Sequence, residues 1–161
     1  MLIDDILSSA ISYNKQDVKR INHLIKVFSF AHHIGIMEKC DIKTQEIIDI
    51  SAILHDIGIH EAERKHNSNA GNWQEIEGPP VANEILKKFD LDDDFKNRIL
   101  FLIGHHHHYN NIDGMDYQIL IEADFLVNIF EDGMDEHSIK SVKEKIFKTK
   151  TGVNLLEKLY L

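Results

Sequence analysis

A histidine and an aspartate stand side by side in Leu54-His55-Asp56-Ile57-Gly58, closing the apolar run Ile-Ile-Asp-Ile-Ser-Ala-Ile-Leu that ends at Leu54. Titratable groups are costly in such a setting, so the doublet is either a helix cap or part of a metal site. Asp124 poses the same problem inside Tyr-Gln-Ile-Leu-Ile-Glu-Ala-Asp-Phe-Leu-Val-Asn, where it shares a helical stripe with Leu120, Ile121 and Val127. A carboxylate on that stripe costs about 2 kcal/mol or more if it stays unpaired. It must meet a basic side chain, the surface or a cation. His23 lies beside an apolar helical face, with Val27 and Phe30 on its side. His23, His55, Asp56 and Asp124 together supply two imidazoles and two carboxylates from three helices. A mixed nitrogen and oxygen set suits Mn²⁺, Fe²⁺, Ni²⁺, Co²⁺, Zn²⁺ or Mg²⁺ better than a metal that seeks thiolates.

The elements that must position these groups read as helices throughout. Residues 2–12 form a short amphipathic helix, and Asp17 caps a second that carries Ile21, Leu24, Ile25, Phe28 and Ala31 at three- and four-residue spacing. Gly35 and the polar stretch after it weaken or end that helix. Thr44 is the expected N-cap of a third, whose Ile47, Ile48, Ile50, Ile53 and Leu54 lie almost all round and so predict burial at the centre. Residues 59–77 are polar, lack periodicity and read as a long loop that contains Trp73, the sole tryptophan. Pro79 and Pro80 suit the first turn of a helix through Leu86. Further helices are expected over about 93–104, 116–130, 136–148 and 152–160, with a polar turn at 105–114. The expected fold is all-α, a single-domain helical bundle over 1–161. The segments at 136–160 either pack on the bundle or form a homodimer face.

Composition sets outer limits. The 161 residues are 43% hydrophobic and 28% charged, enough for a full core. A net charge of −9 disfavours a nucleic-acid polymer or an anionic membrane as partner. One cysteine, Cys40, excludes an intramolecular disulfide, and the N-terminus lacks the positive charge of a signal peptide. No apolar run reaches the roughly 18 residues that argue for a membrane span. The expected location is the cytoplasm.

The order His23, His55-Asp56, Asp124 resembles the signature of the HD superfamily of metal-dependent phosphohydrolases. The flanking words "RINHLIKVFSFA", "AILHDIGI" and "GHHHHYNNIDGMDYQILIEADFLVN" carry the likeness over about residues 20–130. The resemblance implies an all-helical bundle with a divalent metal between helices, held by these four residues, and a small phosphorylated substrate such as a nucleotide. Asp56 and His55 would serve the metal-activated water. Relatives with two metals carry a histidine where this chain offers Gln74, Glu75 and Glu77, so a glutamate, Glu75 or Glu77, would ligate or position water instead. His105, His106 and His107 resemble the paired histidines that hold a second metal or touch phosphate in some relatives. Arg64 and Lys65 are the nearest cations in sequence for the phosphoryl oxygens. His32, His33, His60 and His137 are expected at the surface or behind the ligands. Two other functions stand as alternatives: a di-iron oxygenase, against which Glu75 and Glu77 in place of a second-metal histidine argue, or a non-catalytic module with a structural metal or bound nucleotide.

Overall fold

Two helices are apolar on nearly every side, and they set the architecture. In the computed structural model, which describes residues 1–161, these are α3 (Ile42–Leu54) and α7 (Met115–Glu131). Nine of the 13 residues of α3 are buried, as are 12 of the 17 in α7, so both run through the middle of the bundle. Around them lie α1 (Leu2–Tyr13), α2 (Val18–Met37), α4 (Ile59–His66), α5 (Gly71–Leu86), α6 (Asp93–Ile103), α8 (Glu136–Lys145) and α9 (Lys150–Tyr160). α2 packs along both central helices, and α3 also meets α1 and α6. A continuous core runs through Ile6, Ile34, Ile48, Leu54, Leu86, Ile99, Leu120 and Leu156. No helix is long and apolar enough to cross a membrane.

Side-chain caps fix where most helices start. Asp17, Asp41, Asp92, Asp135 and Thr149 each accept a backbone N–H from the first turn that follows. Thr44, expected as the cap of α3, is its third residue. It donates its hydroxyl to Asp41 at 2.8 Å, and Asp41 is the true cap. Gly35 does not end α2, which continues to Met37. A Cβ at Gly35 would lie 2.2 Å from Oε1 of Gln45, so the glycine makes room for a neighbouring helix.

The largest departure from expectation is in 59–77, which is mostly helical. α4 buries only Ile59 and Ala62, and its other residues are polar, so no apolar stripe announced it. α5 starts at Gly71, eight residues before Pro79, and carries both prolines in its interior. The prolines withdraw the N–H groups that would have reached the carbonyls of Glu75 and Ile76. α5 tolerates this because it is braced on both sides. Gly58 and Gly78 are pressed together, such that a Cβ on Gly58 would lie 2.4 Å from the backbone nitrogen of Gly78.

The C-terminal helices pack on the bundle, with α9 against α7 and α2. Glu122, fully buried in α7, accepts the backbone N–H groups of Lys148 (2.6 Å) and Thr149 (2.9 Å), the Thr149 hydroxyl and the Gln118 amide. This one carboxylate ties the α8–α9 connection to the core. Burial raises its pKa, and the four donors work against that.

Candidate metal centre

Each of the four residues singled out from sequence comes from a different position in the bundle, and the packing brings their tips together. His23 projects from the second turn of α2 and Asp124 from the middle of α7. His55 and Asp56 follow the last residue of α3, where the turn to α4 re-aims the chain. Nε2 of His23 lies 3.1 Å from Nε2 of His55, 3.4 Å from Oδ2 of Asp56 and 3.3 Å from Oδ1 of Asp124. Nε2 of His55 lies 3.5 Å from each of the same two oxygens. Ligand atoms spaced like this are what bonds of roughly 2.0–2.2 Å to one central ion would require.

The imidazoles are pinned from behind. His55 Nδ1 donates to the carbonyl of Ala52 at 2.8 Å, and His106 Nδ1 donates to that of Ile103 at the same distance. His23 Nδ1 meets Oε2 of Glu131 at 2.9 Å. A ring that donates through Nδ1 presents a lone pair at Nε2 when neutral, and that is how metal-binding histidines are oriented. His106 makes the case most directly. It is 1% exposed, and its Nε2 has no hydrogen-bond partner although it lies 3.3 Å from Oδ1 of Asp56. A buried polar atom with no partner needs an explanation, and a cation at this point would supply one. Asp124 is held in turn by Asn128, whose side-chain amide donates to its Oδ1 at 2.9 Å.

The electrostatics of the cluster suit a cation. Burial alone would raise the Asp56 and Asp124 carboxyls. The imidazoles outweigh it, His55 and His106 around Asp56 and His23 and His55 around Asp124, and hold both well below the usual carboxylate range. Burial disfavours charge on His23, but the hydrogen bond to Asp124 and the charges of Asp56 and Asp124 win and push its pKa up to about 9. Burial likewise opposes charge on His55, and Asp56 and Asp124 raise it.

The sequence matches the HD domain family over residues 20–148. This chain belongs to the HD-domain family. The HD domain described here superposes on a crystal structure from an uncultured Thermotogales bacterium, a predicted HD superfamily hydrolase. The TM-score is 0.66 at 24% identity, and the match covers 98% of this chain and 83% of that one. No curated protein matches it. At that level of identity the likeness speaks for the fold. The all-helical expectation holds.

The HD domain distributes the remaining candidates unevenly. His106 joins the centre, and Asp56, His106 and His107 bring a second set of ligand atoms within 4.8 Å of one another. His105 turns away. Its Nδ1 donates to the carbonyl of Phe101 and its ring stacks on that of Phe101 at 4.1 Å. Glu75 accepts the backbone N–H of His107 at 3.0 Å and pairs with His108 at 3.0 Å, so it shapes the histidine turn. Glu77, expected near the water, spends one oxygen on Lys65 (2.6 Å) and the other on His66 (2.9 Å). Arg64 is exposed and forks onto Glu61. Because α4 is a helix, Arg64 and Lys65 are held by the carboxylates of their own face and of α5, not by the cluster. His66 stacks on Trp73 with centroids 3.8 Å apart. His32 pairs with Asp49, and His33 and His137 are exposed. His60 is half-buried with Nε2 3.5 Å from Asp17. Glu131, Asn128 and Lys26 were not found from sequence. Glu131 lies one helical repeat beyond Asp124, a spacing that could have pointed to it.

Cation uptake should displace a proton. In the metal-free protein His23 titrates near 9 against an ordinary value of 6.5. Its charged form therefore stabilises the fold fully below pH 6.5, and that contribution fades as pH rises through about 9. A cation competes for the same Nε2, so its affinity should rise by about tenfold per pH unit across that window. Calorimetric titrations at pH 7 in two buffers of different ionisation enthalpy should differ by about one proton released per ion. Identical heats in the two buffers would count against His23 as a ligand.

Proposed function

We propose that this HD domain is a metal-dependent phosphohydrolase for a small phosphate ester, a nucleotide among them. The observation that carries the reading is the convergence of three buried imidazole Nε2 atoms on two carboxylates, with each Nδ1 facing an acceptor on the outer side. His23, His55, Asp56 and Asp124 would hold the cation. When bound, a divalent cation supplies Lewis-acid polarisation of a phosphoryl oxygen and acidifies a water.

The chain's own residues do the rest. Ala52, Ile103 and Glu131 fix the three rings so that no ligand has to reorient when substrate arrives. Asn128 fixes Asp124. Asp56 offers Oδ2 to His23 and His55 and Oδ1 to His106, so its carboxylate spans both sets of ligands. From there it would accept the hydrogen bond that aligns an attacking water. Its depressed pKa keeps it anionic at neutral pH. Asp56, His106 and His107 would hold a second cation, sharing Asp56 with the first.

The test is phosphate release from a panel of phosphomonoesters, phosphodiesters and nucleotides after reconstitution with Mn²⁺, Co²⁺, Ni²⁺ or Mg²⁺, with metal content measured per chain. At least one ester should be turned over, and chelation should abolish turnover. His106→Ala should bind one ion fewer while retaining the first. A panel with no turnover under any metal would sink the proposal. Two irons per chain with O₂ consumption would favour the oxygenase chemistry instead.

A further inference from the structure

Phosphoryl chemistry needs positive charge on the non-bridging oxygens, and the cations around the cluster are already engaged. Arg20 binds Glu63 and Asp17, Lys26 binds Glu131, Arg64 binds Glu61 and Lys65 binds Glu77. Several lysines farther from the cluster have no carboxylate partner, and one of them, Lys145, lies against the histidine turn. On α8, Lys140 and Lys143 pair with Glu136 and Glu157, whereas Lys145 in the last turn has no carboxylate partner.

Lys145 lines a concavity of about 660 Å³ together with His107, Tyr109, Asn110 and Asn111. That volume suits a small ligand. His107 connects this concavity to the centre, because it also belongs to the set formed with Asp56 and His106. Tyr109 packs on Phe125, the neighbour of Asp124 on α7, with ring centroids 5.1 Å apart, and leaves one face of the hollow aromatic. The turn is firmly built. The Tyr117 hydroxyl, at 2.6 Å from each, bridges the carbonyls of His105 and His108. The two asparagine amides add donors and acceptors to the lining, and Lys145 is its one lysine. Burial pushes the His107 pKa down to about 4, so its ring meets an anion as a neutral donor.

We propose that this concavity seats the substrate, with the phosphoryl group of an ester lying between His107 and Lys145 and its organic part against Tyr109. Lys145 is then the specificity residue for the anion. The inference rests on the hydrolase reading for the word substrate, but its anion site can be measured without turnover.

The probe is inorganic phosphate, titrated into the full chain and followed by ³¹P line broadening and calorimetry. Wild type should bind it. Lys145→Met should weaken binding about tenfold, the expected loss for one charge-assisted hydrogen bond to phosphate, and Lys145→Arg should stay within about threefold. Lys15→Met, which removes a cation elsewhere, should change nothing. Tyr109→Ala should raise KM for 4-nitrophenyl phosphate but leave the Kd for inorganic phosphate unchanged. Equal phosphate affinity in wild type and Lys145→Met overturns the inference, as does an absence of phosphate binding. Phosphate binding that depends on Lys145 without hydrolysis of any ester keeps the anion site and defeats the hydrolase reading. Hydrolysis with an unchanged KM in Lys145→Met does the reverse.

Discussion

Asp56→Ala should leave a folded protein that has lost both its cation and its phosphohydrolase activity. Asp56 is the residue whose two carboxylate oxygens face different imidazoles, His23 and His55 on one side and His106 on the other. Under the proposed reading, its removal would cost a ligand for the first ion and the link to the second set of ligand atoms. Groups that merely orient a ligand are worth roughly 10–100-fold in affinity or activity, so loss of a shared ligand should exceed that range. Folding should survive, because the Asp56 side chain is 23% exposed and makes no hydrogen bond that holds a helix end. Far-ultraviolet circular dichroism, metal content and phosphate release on one preparation decide the matter. A variant that keeps its full complement of metal would show that Asp56 is not a ligand.

The second large effect should come from a residue with no side chain. Gly58 sits two positions after Asp56, where a Cβ would lie 2.4 Å from the Gly78 nitrogen, 2.7 Å from its Cα and 2.8 Å from the Gln74 carbonyl. All three are backbone atoms, so Gly58→Ala cannot be absorbed by a side-chain rotation. Overpacking of this kind costs about 1–3 kcal/mol. At about 2–4 °C per kcal/mol for a chain of this size, Tm should fall by up to roughly 10 °C. The α4 side of the doublet must move away from α5, so metal affinity should fall as well. Gly133→Ala is the contrast. It has φ +63° and nothing within 4 Å of the added carbon, so it should lose some stability to backbone strain and keep its metal. Equal metal affinity in Gly58→Ala and wild type would show that the α4–α5 contact does not position Asp56.

These two cases mark what the sequence could and could not reveal. His23, His55, Asp56 and Asp124 were legible because each is a polar residue on or beside an apolar helical face, where burial without a partner is expensive. The central helices were legible for the same reason, through isoleucines and leucines spread all round α3 and α7. The histidine run was not resolvable, because consecutive residues in a turn carry no period. Burial sends His106 inward, while stacking on Phe101 sends His105 out. α4 and the first half of α5 were hidden by their polarity. Their buried residues, Ile59 and Ala62 in α4 and Gln74 and Glu77 in α5, are few or polar, so burial left no apolar period to read. Arg64 and Lys65 are the nearest cations to the doublet in sequence, but their own helix and its neighbour pair them with Glu61 and Glu77.

The stack of Trp73 on His66 has a practical consequence. The sole indole of the chain lies 3.8 Å from an imidazole that also binds Glu77, in the corner whose Gln74 and Glu75 touch the histidine turn. Indole emission responds to what lies against the ring, and here that is the His66 imidazole. The protein therefore carries a built-in optical reporter next in sequence to the residues that hold the histidine turn. Movements of that corner can be followed by fluorescence in the unlabelled chain.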